Sequence, residues 1–175
     1  MIMGTFADRE NYLEQLCIDH PDVAHQGPRE GGGQRNSFFR INDEEELIAA
    51  TINNIDHPCV CNLSIQPKLT DKDNALSDMR WVWNNAWAFL DHVENPSTED
   101  TMPDAVQAAY DSTFTIMEDF IRSMKEDWEE NDRCGAFEQI NFNTFNAVQI
   151  GPTVQNEYGW ILYFDNEQKA TRIIG

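Results

Sequence analysis

Between Thr101 and Phe164 the chain changes its hydrophobic period once, and that change leaves few folds open. Thr101-Met102-Pro103-Asp104 supplies a cap, an early proline and a first-turn acid, which together start a helix. Val106, Ala109, Tyr110, Phe114, Met117, Phe120, Ile121, Met124 and Trp128 then recur at three-four spacing until Asp132-Arg133-Cys134-Gly135 ends the run. The pattern predicts a long helix over 104–131 whose other face is acidic, with Glu118, Asp119, Glu126, Asp127, Glu129 and Glu130. Two strand-like runs follow, Phe137 to Ile150 and Tyr158 to Phe164, on either side of Gly151-Pro152-Thr153-Val154-Gln155-Asn156-Glu157. They read as a terminal β-hairpin over 137–165. Its residues are aromatic, amide and aliphatic with no reactive motif among them, so the hairpin reads as a part for assembly.

The first hundred residues hold shorter elements. Thr5 with Asp8 resembles a capping pair, and Tyr12, Leu13, Leu16 and Cys17 keep helical spacing until His20-Pro21. Residues 26–36, with Gly27-Pro28 and Gly31-Gly32-Gly33, lack apolar periodicity and are expected to form a mobile loop; their glycines fit no phosphate-binding spacing. Ser37 to Ile41 is strand-like, and Asn42 or Asp43 then caps a helix through Glu44, Glu45, Leu47, Ile48 and Ile52. After His57-Pro58, Cys59, Cys61, Leu63 and Ile65 alternate with Val60, Asn62, Ser64 and Gln66, the pattern of a half-buried strand. Thr70 to Asn74 reads as a polar turn.

Met79 to Val93 admits two periods. Val82, Ala86, Phe89, Leu90 and Val93 fit a helix, whereas Met79, Trp81, Trp83, Trp87 and Phe89 fit one face of a strand interrupted at Asn85. We read a strand, because three tryptophans suit a pleated surface, with Asn84-Asn85 marking a bulge or bend. The order β-α-β-β-α-β-β after a leading helix is that of an α+β fold: a mainly antiparallel sheet packed by one long helix and one or two shorter ones, as a single domain over 1–175.

The chain must carry 31 acidic residues against 12 basic ones, a formal charge of -19. Such a charge favours solubility and opposes approach to nucleic-acid phosphates or anionic lipid. Simple solubility accounts for most of it. No run of about 18 apolar residues crosses a membrane and no signal-like segment opens the chain, so no membrane partner is expected. Cys17, Cys59, Cys61 and Cys134 are few for this length and are expected to be reduced thiols, partly buried.

Candidate chemistry is sparse. His57, Cys59 and Cys61 share one strand face if the register holds, and with Cys17 and His20 they offer four zinc ligands. The spacing matches no common zinc module, and buried reduced cysteines are the preferred reading, so no metal and no cofactor is expected. Asp71-Lys72-Asp73-Asn74 begins like a calcium loop but has Leu76 where glycine is needed and Val82 where glutamate is needed. The histidines His20, His25, His57 and His92 are scattered, and no serine or cysteine sits in an activating motif; the expectation is no enzyme.

One resemblance enters here, over residues 86–164. Ala86-Trp87-Ala88-Phe89-Leu90, the helix Val106 to Trp128, Phe142-Asn143-Thr144-Phe145-Asn146-Ala147-Val148-Gln149-Ile150-Gly151-Pro152 and Tyr158-Gly159-Trp160-Ile161-Leu162-Tyr163-Phe164 follow an order similar to small structural proteins of tailed bacteriophages, particularly those infecting Bacteroidetes. The class is that of neck and tail-completion rings. The resemblance implies a homo-oligomer, other virion proteins as partners, DNA as passing cargo, and localisation to the virion after assembly in the host cytoplasm. No residue role is carried over. In such a ring a carboxylate-lined lumen repels the phosphate backbone and lets it slide, which would employ the acids of 104–131. Tyr158, Trp160 and Tyr163 are the candidate subunit contacts; the loop at 27–33 and the turn at 70–78 are either contact arms or plain loops. The alternative is a small acidic inhibitor or DNA mimic that binds a basic host protein.

Overall fold

The computed structural model describes residues 6–42, 44–49, 54–63, 67–71, 79–94, 104–130 and 139–169, and the structural statements below concern these. Helix α1 (Phe6–Asp19) is followed by strand β1 (Phe38–Ile41), the short helix α2 (Glu44–Ala49) and strands β2 (Cys59–Leu63), β3 (Lys68–Asp71) and β4 (Met79–His92). Helix α3 (Asp104–Glu130) and strands β5 (Gln139–Ile150) and β6 (Glu157–Lys169) complete the order. The six strands make one sheet in the order β1-β2-β4-β6-β5, with β3 also on β4. Only β1 and β2 pair in parallel; the other pairs are antiparallel. The α+β reading therefore holds.

The sheet buries both faces, which decides where each side chain goes. On one face Trp87 and Phe89 of β4, Leu162 and Phe164 of β6 and Val60 of β2 meet Leu13 and Cys17 of α1 and Ile116, Phe120 and Met124 of α3. On the other, Cys59, Cys61 and Leu63 of β2, Ala88 and Leu90 of β4 and Ile161 of β6 pack with Leu47 of α2. Strand β2 is thus buried along its whole length rather than half-buried, because its alternate residues enter different cores. Helix α1 is fastened by more than its apolar stripe. Tyr12 donates to Asp127 Oδ2 of α3 at 2.9 Å, Glu10 pairs with Arg40 at 2.8 Å, and the Arg9 guanidinium lies 3.8 Å from the Trp83 ring centre.

The β4–β6 ladder runs from Arg80–Lys169 to His92–Glu157 without a shift. The expected interruption at Asn84-Asn85 is absent. Asn85 continues the tryptophan stripe as a buried residue, and its Nδ2 donates to Trp83 O, Phe164 O and Asn166 Oδ1, so a polar side chain is satisfied without breaking the strand. The irregularity lies instead in β5, between Asn141 and Asn146. There the Thr144 hydroxyl donates to Asn141 O and accepts the Asp165 N–H, filling the gap in the ladder.

The loop at 26–36 takes a defined shape, and one more expectation changes. Residues 26–36 form a closed hairpin, with Gln26 N–H bound to Arg35 O at 3.0 Å and Arg35 N–H to Gly27 O at 2.8 Å. Gly31, Gly32 and Gly33 take φ of 91°, 100° and 91° at its tip, so the glycine run serves turn geometry. Lys68–Asp71 is a strand on β4 where Thr70 onward was read as a turn. Asp43, residues 50–53 and 72–78, and Cys134 lie outside the described residues.

Candidate functional site

The outer face of α3 carries the acids expected there, but they are not equivalent. Asp127 is half-buried and accepts the Tyr12 hydroxyl, and Asp119 receives Arg122 Nη1 at 2.7 Å with His20 Nε2 at 3.5 Å. Glu129 faces Lys125 Nζ at 3.9 Å. Glu118, Glu126 and Glu130 are exposed, and no ion pair reaches them among the described residues. With Asp104 and Asp111 they give the helix a solvent face dominated by carboxylates. Beside it, Leu16, His20, Asp119, Phe120, Arg122 and Glu126 line an open groove between the end of α1 and α3.

Tyr158, Trp160 and Tyr163 lie on β6, which sits between β4 and β5 inside the sheet. Tyr158 is buried against Tyr110 of α3, with ring centres 5.9 Å apart. Trp160 packs on Phe114 and donates Nε1–H to Tyr110 O at 3.0 Å. Tyr163 donates to Glu44 Oε2 of α2 at 2.8 Å, and burial followed by that bond pushes its phenol up to about 12. All three are engaged within the chain, Tyr158 buried and Trp160 and Tyr163 half-buried. The strand order ends in β1 on one side and β5 on the other, and β5 pairs only with β6 among the described strands. Val148, on this strand, is 43 % exposed.

A different group of residues converges at one end of the sheet. In the register Cys59 is opposite Leu90 and His92 is opposite Glu157, so these residues share a face, and His57 immediately precedes β2 on the same side. His57 Nε2 and Glu157 Oε1 are 2.8 Å apart. The ligand atoms of His57, Cys59 and Glu157 all lie within 4.8 Å of one another, in an arrangement able to hold a metal ion. Glu157 Oε2 accepts the Thr153 hydroxyl at 2.9 Å, and His92 Nδ1 stands 2.8 Å from Gln155 O, both from the loop that joins β5 to β6. Arg35 Nη2 donates to His57 O at 3.0 Å, so the glycine-tipped hairpin steadies the third residue. The His57 and His92 ring centres are 5.7 Å apart.

Electrostatics follows burial. The Cys59 thiol is pushed well up by desolvation and then by the Glu157 charge, and Cys61 is raised for the same two reasons. Burial also raises the Asp91 carboxyl, against the lowering effects of the His92 N–H and of His57 and His92. Sequence spacing had grouped His57, Cys59 and Cys61 with Cys17 and His20. The fold separates them: Cys17 belongs to the opposite core, and His20 faces Asp119. Glu157, which spacing did not select, joins His57 and Cys59, and His92 stands beside them. Strand parity is the one signal that would have found them, and it becomes usable only when the β2–β4–β6 register is known.

Comparison with family models, curated proteins and solved structures finds no match to this chain.

Proposed function

We propose that this chain is a non-enzymatic virion structural protein of a tailed phage, which forms or joins an oligomeric ring at the head–tail junction or tail. The outer face of α3 carries the proposal: Asp104, Asp111, Glu118, Glu126, Glu129 and Glu130 face solvent on one long helix, where the bases Arg122 and Lys125 are taken up by Asp119 and Glu129. Turned into a channel, that face repels passing DNA and offers it nothing to grip. Beside the half-buried Trp160 and Tyr163, the β5 edge is offered as a subunit contact, since its open backbone groups suit strand pairing or packing with the next copy in a head-to-tail ring.

Native mass spectrometry of the purified chain, alone and with portal and tail proteins, tests this. The expected species is a closed oligomer of defined mass, or co-assembly with a partner ring, and Val148→Lys on the exposed edge should dissociate it while leaving the monomer folded. A monomer or dimer that ignores those partners and binds a basic protein with steep salt dependence would overturn the proposal in favour of the DNA-mimic alternative.

A further inference from the structure

We propose that His57, Cys59 and Glu157 form a binding site for one zinc-class divalent transition-metal ion. Three different donors meet within 4.8 Å, and they come from positions the fold holds independently: Cys59 from the buried strand β2, His57 from the residues leading into it, and Glu157 from the first position of β6. A tetrahedral zinc ion with bonds of about 2.0–2.3 Å sets its ligand atoms roughly 3.3–3.7 Å apart. To take the ion, His57 and Glu157 open by about 0.5 Å from their present 2.8 Å contact, and a pair near the 4.8 Å limit closes by about 1 Å.

The donor set selects the ion. A thiolate and an imidazole suit zinc, cobalt or copper and disfavour magnesium and calcium, which prefer all-oxygen shells. The surroundings resemble those that orient metal ligands. The Thr153 hydroxyl occupies Glu157 Oε2 and leaves Oε1 directed at His57, while the backbone at His57 is fixed by Arg35. Cys59 is sealed in the core, whereas His57 is partly exposed and His92 is exposed beside it, which gives an ion a path from solvent and leaves the fourth coordination position on that side. The bound ion would tie β2 to β6 across β4, stapling the end of the sheet where the β5–β6 loop enters. This inference does not depend on the ring proposal.

The test uses the full chain stripped with a chelator and titrated with Co²⁺, followed by Zn²⁺. The expected results are one equivalent bound, a thiolate-to-cobalt charge-transfer band in the near ultraviolet, displacement of that band by Zn²⁺, and a higher Tm with Zn²⁺. Cys59→Ser should abolish the band, and His57→Gln or Glu157→Gln should weaken Zn²⁺ binding at least about tenfold. Cys61→Ala, on the same strand but outside the cluster, should keep the band. Absence of a charge-transfer band in the folded wild-type chain overturns the proposal whether or not the variants fold; so does a band that persists in folded Cys59→Ser.

Discussion

The buried asparagine pair of β4 and β6 makes the structure testable at one position. Asn85 and Asn166 are 2 % and 0 % exposed, and Asn85 Nδ2 serves three acceptors: Trp83 O, Phe164 O and Asn166 Oδ1. Asn85→Ala removes the donor, strands Asn166 Oδ1 in the core and leaves a small void. An unsatisfied buried polar group costs about 1–3 kcal/mol, and the void brings the total to roughly 2–4 kcal/mol. Asn166→Ala costs less, about 1–2 kcal/mol, because its Nδ2 has no partner to lose. The two effects share one hydrogen bond and should couple by about 1 kcal/mol, so the double alanine variant falls short of the sum. Replacing both residues by leucine removes both polar groups at similar volume and should be milder than either mismatched single leucine variant. Urea unfolding followed by tryptophan fluorescence reads all of this, since Trp83 and Trp87 flank Asn85 on its face of β4. Additivity within about 0.3 kcal/mol, or a double leucine variant worse than both singles, would refute the hydrogen-bonded core described for this pair.

Ending the chain at Gly151 removes Tyr158, Ile161, Leu162 and Phe164 from the cores, about 1.5–3 kcal/mol each and so comparable to a whole domain's stability; circular dichroism should show an unfolded chain rather than a folded, assembly-deficient one. Gly159→Ala places a methyl against the Phe89 carbonyl oxygen on the neighbouring strand and should cost ~3 kcal/mol or more by chemical denaturation. Asp91 has a raised folded-state pKa, so its native form binds more protons than the unfolded one between the two values, and its ionisation opposes folding above them. Asp91→Asn should therefore raise Tm at pH 7, with the gain shrinking as pH falls through the folded and then the unfolded pKa; a constant gain across pH would refute this reading. Glu118→Lys, Glu126→Lys and Glu130→Lys together should leave the fold within about 1.5 kcal/mol, being exposed; the ring proposal further expects them to slow DNA release from assembled particles at low salt.

Period and punctuation made most elements legible, because each depends on neighbours along the chain. Helix α3 was visible in its three-four spacing, and β4 in its tryptophan alternation. What failed was whatever depends on sheet order. Cys59 to Leu63 alternates like a strand with one wet face, yet Val60, on the side that would have been wet, enters the core formed with α1 and α3, and Asn62 beside it is buried as well. Asn85 looked like a break because an amide among tryptophans has no partner in the sequence nearby; its partner is Asn166, reached only when β6 lies beside β4. The aromatic β5–β6 hairpin reads in sequence as a part for assembly because its partners lie far along the chain; β6 passes between β5 and β4 and carries core residues on both faces.

The candidate metal cluster shows the same dependence in its sharpest form. Within the sequence Glu157 reads as the last polar residue of a turn, and its charge as one among many. Its chemistry arises because the β4–β6 register places it opposite His92, because the β2–β4 register brings Cys59 and His57 to the same face, and because Thr153 holds one of its oxygens and turns the other inward. A shift of either register by one residue would move Glu157 or Cys59 to the other face and dissolve the cluster. The close approach at Gly159, two residues from Glu157, opposes such a shift, since the neighbouring positions carry tyrosine and tryptophan where a Cβ would strike the Phe89 carbonyl. The glycine that lets β6 lie against β4 thereby also fixes which acid meets the histidine and the thiol.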